Sequence, residues 1–76
     1  MFTIEHEFDA TVVTLVDEKT QYLQEDVIIT AFEDCIVLEQ ADRSGDTVSK
    51  ITLSLSQLAD LRDALNLPEG VYKRKD

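Results

Sequence analysis

The residues of this 76-residue sequence that could do chemistry are one histidine, one cysteine and sixteen carboxylates. A cysteine nucleophile needs a base beside it, so Cys35 could react this way only if the fold brought His6 to it. Their spacing gives no sign of that. Cys35 stands in an apolar run and fits a small strand hydrophobe, while His6 fits an imidazole on the apolar side of a strand, between Ile4 and Phe8. We therefore predict no catalytic residue and a protein that is not an enzyme.

The segment from Asp42 to Asp46 is superficially similar to a calcium-binding loop. An EF-hand loop carries a glutamate six residues after its glycine, but Ile51 stands six residues after Gly45. We interpret the segment as a turn in which Gly45 takes a positive φ. The single cysteine leaves no internal disulfide and no cysteine-based zinc site, and two glycines form no phosphate-binding loop. The sequence predicts no metal and no cofactor.

The carboxylates give the chain a net charge of −9, and most of them precede residue 47. Such a charge argues against an electrostatic grip on nucleic acid or on anionic membranes. One interpretation is a solvated surface that protects the edges of a small sheet. The other is a docking surface for a basic protein. In that second interpretation the candidate partner-binding residues are Glu5, Glu7, Asp9, Glu33, Asp34 and Glu39.

Most of the chain is predicted to form strands. Apolar and polar residues alternate from Phe2 to Asp9, which predicts a strand with one apolar and one acidic face, broken by a hairpin or a bulge at Asp9-Ala10. The polar stretch 18–26 predicts a loop, with a helical turn around Tyr22-Leu23. A two-residue turn at Glu33-Asp34 and a second turn at 43–46 separate the later strands. These further strands are predicted at 12–16, 27–32, 35–41 and 47–53.

The strongest local signal is a helix that begins directly after the last strand. Ser54 and Gln57 have the spacing of a capping box, in which each side chain binds the backbone of the other residue. Leucines then follow at helical spacing, and Pro68 disfavours helix at the residue before it. We expect a helix of about eleven residues after Ser54.

The order of the elements predicts an α+β fold: a small antiparallel β-meander of four to five strands, with one C-terminal α-helix packed on one face. A single helix covers one face only, yet both faces are expected to be apolar. A second subunit is the simplest cover for the other face, so we predict a homodimer. We expect one face to carry Val27, Ile29, Cys35 and Val37, and the other to carry Ile28, Phe32, Ile36 and Leu38.

We expect one domain over residues 1–72, followed by a basic tail at 73–76, in a cytoplasmic protein that has no signal peptide. The predicted function is that of a small regulatory module that binds a basic partner protein, without direct contact to nucleic acid or membrane. The alternative is a nucleic-acid mimic that inhibits a DNA- or RNA-binding protein. A continuous array of carboxylates on one face would indicate the mimic, whereas an apolar centre with an acidic rim would indicate the docking module.

Overall fold

The computed structural model describes residues 1–18 and 23–73 and shows an antiparallel meander followed by a helix. Neighbours in sequence are neighbours in the sheet, so the strand order is β1-β2-β3-β4-β5. The predicted α+β meander is confirmed. Its elements are β1 (Phe2–His6), β2 (Thr11–Leu15), β3 (Val27–Ala31), β4 (Cys35–Ala41), β5 (Val48–Ser54) and α1 (Leu55–Ala64).

The predicted turns fall where the sequence indicated. The break at Asp9-Ala10 is a hairpin, closed by the Glu7 amide, which donates to the Ala10 carbonyl at 2.8 Å. Gly45 has a φ of 78°, as its turn requires. The helical turn expected around Tyr22-Leu23 includes Tyr22, which lies outside the described residues.

The capping box forms as predicted. The Gln57 amide donates to the Ser54 hydroxyl at 3.1 Å, and the Ser54 amide donates to the Gln57 side-chain oxygen at 3.0 Å. Because both bonds satisfy amides that a helix start would otherwise leave unpaired, the chain passes from strand to helix without a linker. The helix ends before Pro68, ten residues long instead of about eleven.

The predicted composition of the two faces is wrong at β4. The Phe32 amide donates to the Cys35 carbonyl, so the turn between β3 and β4 contains only two residues, Glu33 and Asp34. As a result, Ile29 pairs with Leu38 and Ile28 pairs with Glu39. Partners directly opposite each other share a face. Val27 and Ile29 therefore lie with Ile36 and Leu38, not with Cys35 and Val37 as expected.

This register sorts the sheet into two unlike faces. The first, called here the uncharged face, contains no Asp, Glu, Lys or Arg in any of the five strands; the second, the mixed face, carries every charged residue of the strands, namely Glu5, Glu39 and Lys50. The apolar residues of the uncharged face are Phe2, Ile4, Val13, Leu15, Val27, Ile29, Ala31, Ile36, Leu38, Ile51 and Leu53.

The helix covers only one corner of the sheet. It contacts β4 and β5 and no other strand. Ile36 is 5% exposed and is the one apolar side chain that is buried among residues 1–18 and 23–73. Ile36 lies on the uncharged face directly opposite Leu53, the residue just before the helix cap, which places α1 over this corner. The rest of the uncharged face has no covering layer within the described chain.

Candidate functional site

Four of the six predicted partner-binding residues lie at one end of the sheet. Successive turns of a meander alternate between its two ends, so the β1–β2 turn and the β3–β4 turn lie together, beside the start of α1. Asp9, Glu33 and Asp34 line one open cleft there, with Phe32 and Leu55. The structure thus brings together three carboxylates that are up to 25 positions apart in the sequence.

Apolar side chains that the sequence reasoning missed complete this surface. Phe32 and Leu55 are both partly exposed in the cleft, and Phe8 projects fully exposed from the β1–β2 turn beside Glu7. Aromatic side chains are favoured at the centres of protein interfaces. No local signal separates them from core residues, because Phe8 and Phe32 continue the apolar pattern of predicted strands and Leu55 that of the predicted helix. We call this surface the acidic end, formed by Glu7, Phe8, Asp9, Phe32, Glu33, Asp34 and Leu55.

The other two predicted residues lie on the mixed face, away from each other. Glu5 is on β1 and Glu39 is on β4, with two strands between them. Glu39 stands directly opposite Lys50, so part of its charge is balanced locally. It borders a different cleft, with Glu25 and Asp26. The six residues therefore do not form one site.

Cys35 and His6 cannot act as a pair. Cys35 is on the mixed face of β4 and His6 is on the uncharged face of β1, so the sheet itself separates them. The pKa of the Cys35 thiol is raised, first by burial and then by the charge of Asp34, which disfavours the reactive thiolate. The Nδ1 atom of His6 lies 3.1 Å from the hydroxyl of Thr11, its direct partner across the hairpin.

The Asp42 carboxylate accepts three hydrogen bonds from residues of its own turn. It accepts hydrogen bonds from the Thr47 hydroxyl at 2.7 Å, from the Ser44 hydroxyl at 2.8 Å and from the Gly45 amide at 2.7 Å. These donors, the Thr47 hydroxyl first, lower the pKa of Asp42 from 3.8 to about 2. The segment is therefore a self-satisfied turn, and no group of three or more metal-ligating side chains is found within residues 1–18 and 23–73.

Replacing Thr47 with valine is expected to raise the pKa of Asp42 from about 2 towards 3.8, because the strongest donor to the carboxylate is lost. Since the folded-state pKa of Asp42 is the lower one, its contribution to stability is present above pH 3.8 and is lost as the pH falls towards 2. Carbon-detected NMR titration measures this pKa. Thr52→Val is the control, because Thr52 lies on β5, the strand that follows the turn. This substitution should leave the pKa of Asp42 unchanged.

Within residues 1–18 and 23–73, no helix has the length and apolar character needed to cross a membrane. A further cleft lies between α1 and the segment that follows it, lined by Asp60, Asp63 and Lys73 among others. Because it contains a cation as well as carboxylates, it is less negative than the acidic end.

The geometry defines a small α+β domain with carboxylates in the turns at both ends of its sheet and one apolar face that the helix covers only at a corner. A family model described as "Domain of unknown function (DUF8831)" matches residues 3–64, and the chain belongs to this family. The matched region runs from the second residue of β1 to the last residue of α1, so it takes in the helix and all of the sheet except Phe2. No curated protein and no solved structure matches the chain.

Proposed function

We propose that this protein is a non-enzymatic interaction module that binds a basic partner protein through its acidic end. The observation that carries the proposal is the cleft that Asp9, Glu33 and Asp34 line together with the partly exposed Phe32 and Leu55. Carboxylates steer a basic partner and fix its register, while apolar side chains at the centre supply the binding energy. A cytoplasmic location is part of the same proposal.

The arrangement of charge favours docking over mimicry of nucleic acid. A mimic needs carboxylates at regular intervals along one surface, standing in for phosphates. On the mixed face the strands carry only Glu5 and Glu39, and Lys50 is directly opposite the second. The other carboxylates before residue 47 that the structure describes lie in turns and loops at the two ends of the sheet. An acidic rim around an apolar centre is the pattern of a protein-docking surface.

Charge reversal at the acidic end tests the proposal. The bait Glu33→Lys/Asp34→Lys is expected to bind the basic partner at least about tenfold more weakly than the unaltered protein. The chain offers a matched control, because Glu25 and Asp26 form the same dipeptide at the other end of the sheet. Glu25→Lys/Asp26→Lys makes the same change in net charge and is expected to retain the partner.

The partner is captured from extracts of the source cells, identified by mass spectrometry and then titrated by calorimetry against all three proteins, whose folding is checked by circular dichroism. Equal losses for the two variants would show a response to net charge alone and would contradict a specific acidic end. A captured DNA- or RNA-binding protein that nucleic acid displaces in competition would favour the mimic instead.

A further inference from the structure

We infer that the uncharged face is the interface of a homodimer, in which two copies of this chain stack sheet against sheet. The surface at issue is a row of aliphatic residues, called here the central row, with one member on each strand. Its members are paired in register across the whole sheet, and they are Ile4, Val13, Ile29, Leu38 and Ile51.

The chain exposes more surface than is expected of a compact monomer of its mass, and dimerisation would bury such an excess. The chain exposes 6710 Å², whereas a compact monomer of 8.6 kDa is expected to expose about 4,700 Å². The excess of about 2,000 Å² lies within the share that each subunit of an obligate dimer buries, since such interfaces cover about 2,000–5,000 Å² in total. The radius of gyration, 14.7 Å, likewise exceeds the roughly 11 Å of a compact domain of this length.

Part of this exposed area lies on the uncharged face. Four apolar residues of the uncharged face are exposed in the single chain, and Ile51, in the central row, is 59% exposed. The helix covers the neighbouring corner at Ile36. The two ends of the central row, Ile4 and Ile51, are exposed, and Val13, Ile29 and Leu38 between them are half-buried. A continuous apolar row without charged neighbours and with exposed ends is typical of an interface rather than of a monomer surface. The four exposed residues are Phe2, Ile4, Leu15 and Ile51.

Charge identifies the occupant as a second copy. A basic partner would find no Asp or Glu in the strands of this face, so it would lose the solvation of its own charges without gaining an ion pair. Two copies of a chain of net charge −9 repel each other wherever their carboxylates meet. The carboxylates of the strands and turns lie on the mixed face and at the ends of the sheet, and the rest of the described ones, Asp60, Asp63 and Glu69, belong to α1 and the segment after it. The uncharged face is therefore the strand surface on which identical copies can meet.

A twofold axis that lies between the central rows of two facing copies satisfies these conditions. The same patch on each copy then covers the other, with the two sheets about 10 Å apart as in a β-sandwich. In this arrangement each helix stays over its own Ile36 corner, and the partner covers the central row from Ile4 on β1 to Ile51 on β5.

Two aspartate substitutions on β5 test the inference. Ile51 is 59% exposed on the uncharged face, and Val48 is 57% exposed on the mixed face of the same strand. By sedimentation equilibrium, the unaltered protein is expected to be a dimer at micromolar concentration. Ile51→Asp is expected to weaken dimerisation at least about 100-fold, since each subunit would bury a carboxylate in an apolar interface. Val48→Asp adds the same charge and is expected to leave the dimer intact.

A second measurement holds even if the Ile51→Asp chain does not fold alone. If folding is coupled to dimerisation, the thermal midpoint of the unaltered protein rises with its concentration. A monomer with a concentration-independent midpoint would overturn the inference, and so would a Val48→Asp variant that dissociates while Ile51→Asp does not. The outcome is separate from that of the docking proposal, because neither substitution alters a residue of the acidic end.

Discussion

Replacing Ile36 with alanine is expected to remove about 2–5 kcal/mol from the free energy of unfolding. Ile36 is the one buried apolar side chain of the described residues, and it joins β4 to β5 and the helix. A chain of 76 residues has a total stability on the order of 4–11 kcal/mol. The substitution is therefore expected to remove a large part of the total stability of the protein.

Ile28→Ala is the matched control, because it removes the same atoms from the neighbouring strand on the mixed face, where the side chain is 42% exposed. It is expected to remove about 1 kcal/mol, since less apolar surface is lost from burial. Urea unfolding followed by circular dichroism gives both values. The protein concentration is held constant, because dimerisation makes the apparent stability depend on it.

Equal losses for Ile36→Ala and Ile28→Ala would contradict the assignment of the buried centre to the helix-covered corner. They would place the stability of the chain in the sheet as a whole.

Salt is expected to affect the two proposed surfaces in opposite directions. Raising sodium chloride from about 0.1 M to about 1 M shortens the Debye length from about 10 Å to about 3 Å. Binding of the basic partner should weaken by about tenfold or more, because it depends on attraction to the carboxylates of the acidic end. The dimer should instead become tighter, because the repulsion between two chains of net charge −9 is screened while the apolar contact is not.

The two dissociation constants are measured at the same salt concentrations, by calorimetry for the partner and by sedimentation for the dimer. Chloride is used because sulfate strengthens apolar burial by itself. A dimer that dissociates at high salt would indicate an interface held by ion pairs and would contradict the uncharged face as its location. Partner binding that does not respond to salt would contradict the acidic end without affecting the dimer.

The parts of the fold that depend on local chemistry were predictable. The alternation in β1, the positive φ of Gly45 and the capping box between Ser54 and Gln57 each involve residues close together in the sequence. Such signals need no knowledge of the neighbouring strand. The order of strands and helix then limits the fold to an α+β meander.

The composition of the faces was not predictable in the same way. It depends on the register between strands, and a shift of one residue moves a whole strand to the opposite face. The prediction placed each residue of β4 on the opposite face from the one it occupies, and this made both faces look equally apolar. The actual register concentrates the apolar residues on one face and gives a more specific basis for a homodimer.

The candidate site was predicted in part for the same reason. Asp9, Glu33 and Asp34 come together because the first and third turns of a meander share an end. Glu39 is set apart because the register places it opposite Lys50. Phe8, Phe32 and Leu55 were missed because each looked like an ordinary core residue until the ends of the strands were known.

The length of the two-residue turn at Glu33-Asp34 also determines on which face of the sheet each residue of β4 and β5 lies. One inserted residue there would exchange the faces of β4 and β5, bringing Glu39 and Lys50 to the side of Val13 and Ile29 and turning Leu38 and Ile51 away. An insertion of two residues would keep each side chain on its face. The length of this turn, more than the identity of its residues, therefore keeps the charged residues of β4 and β5 off the uncharged face.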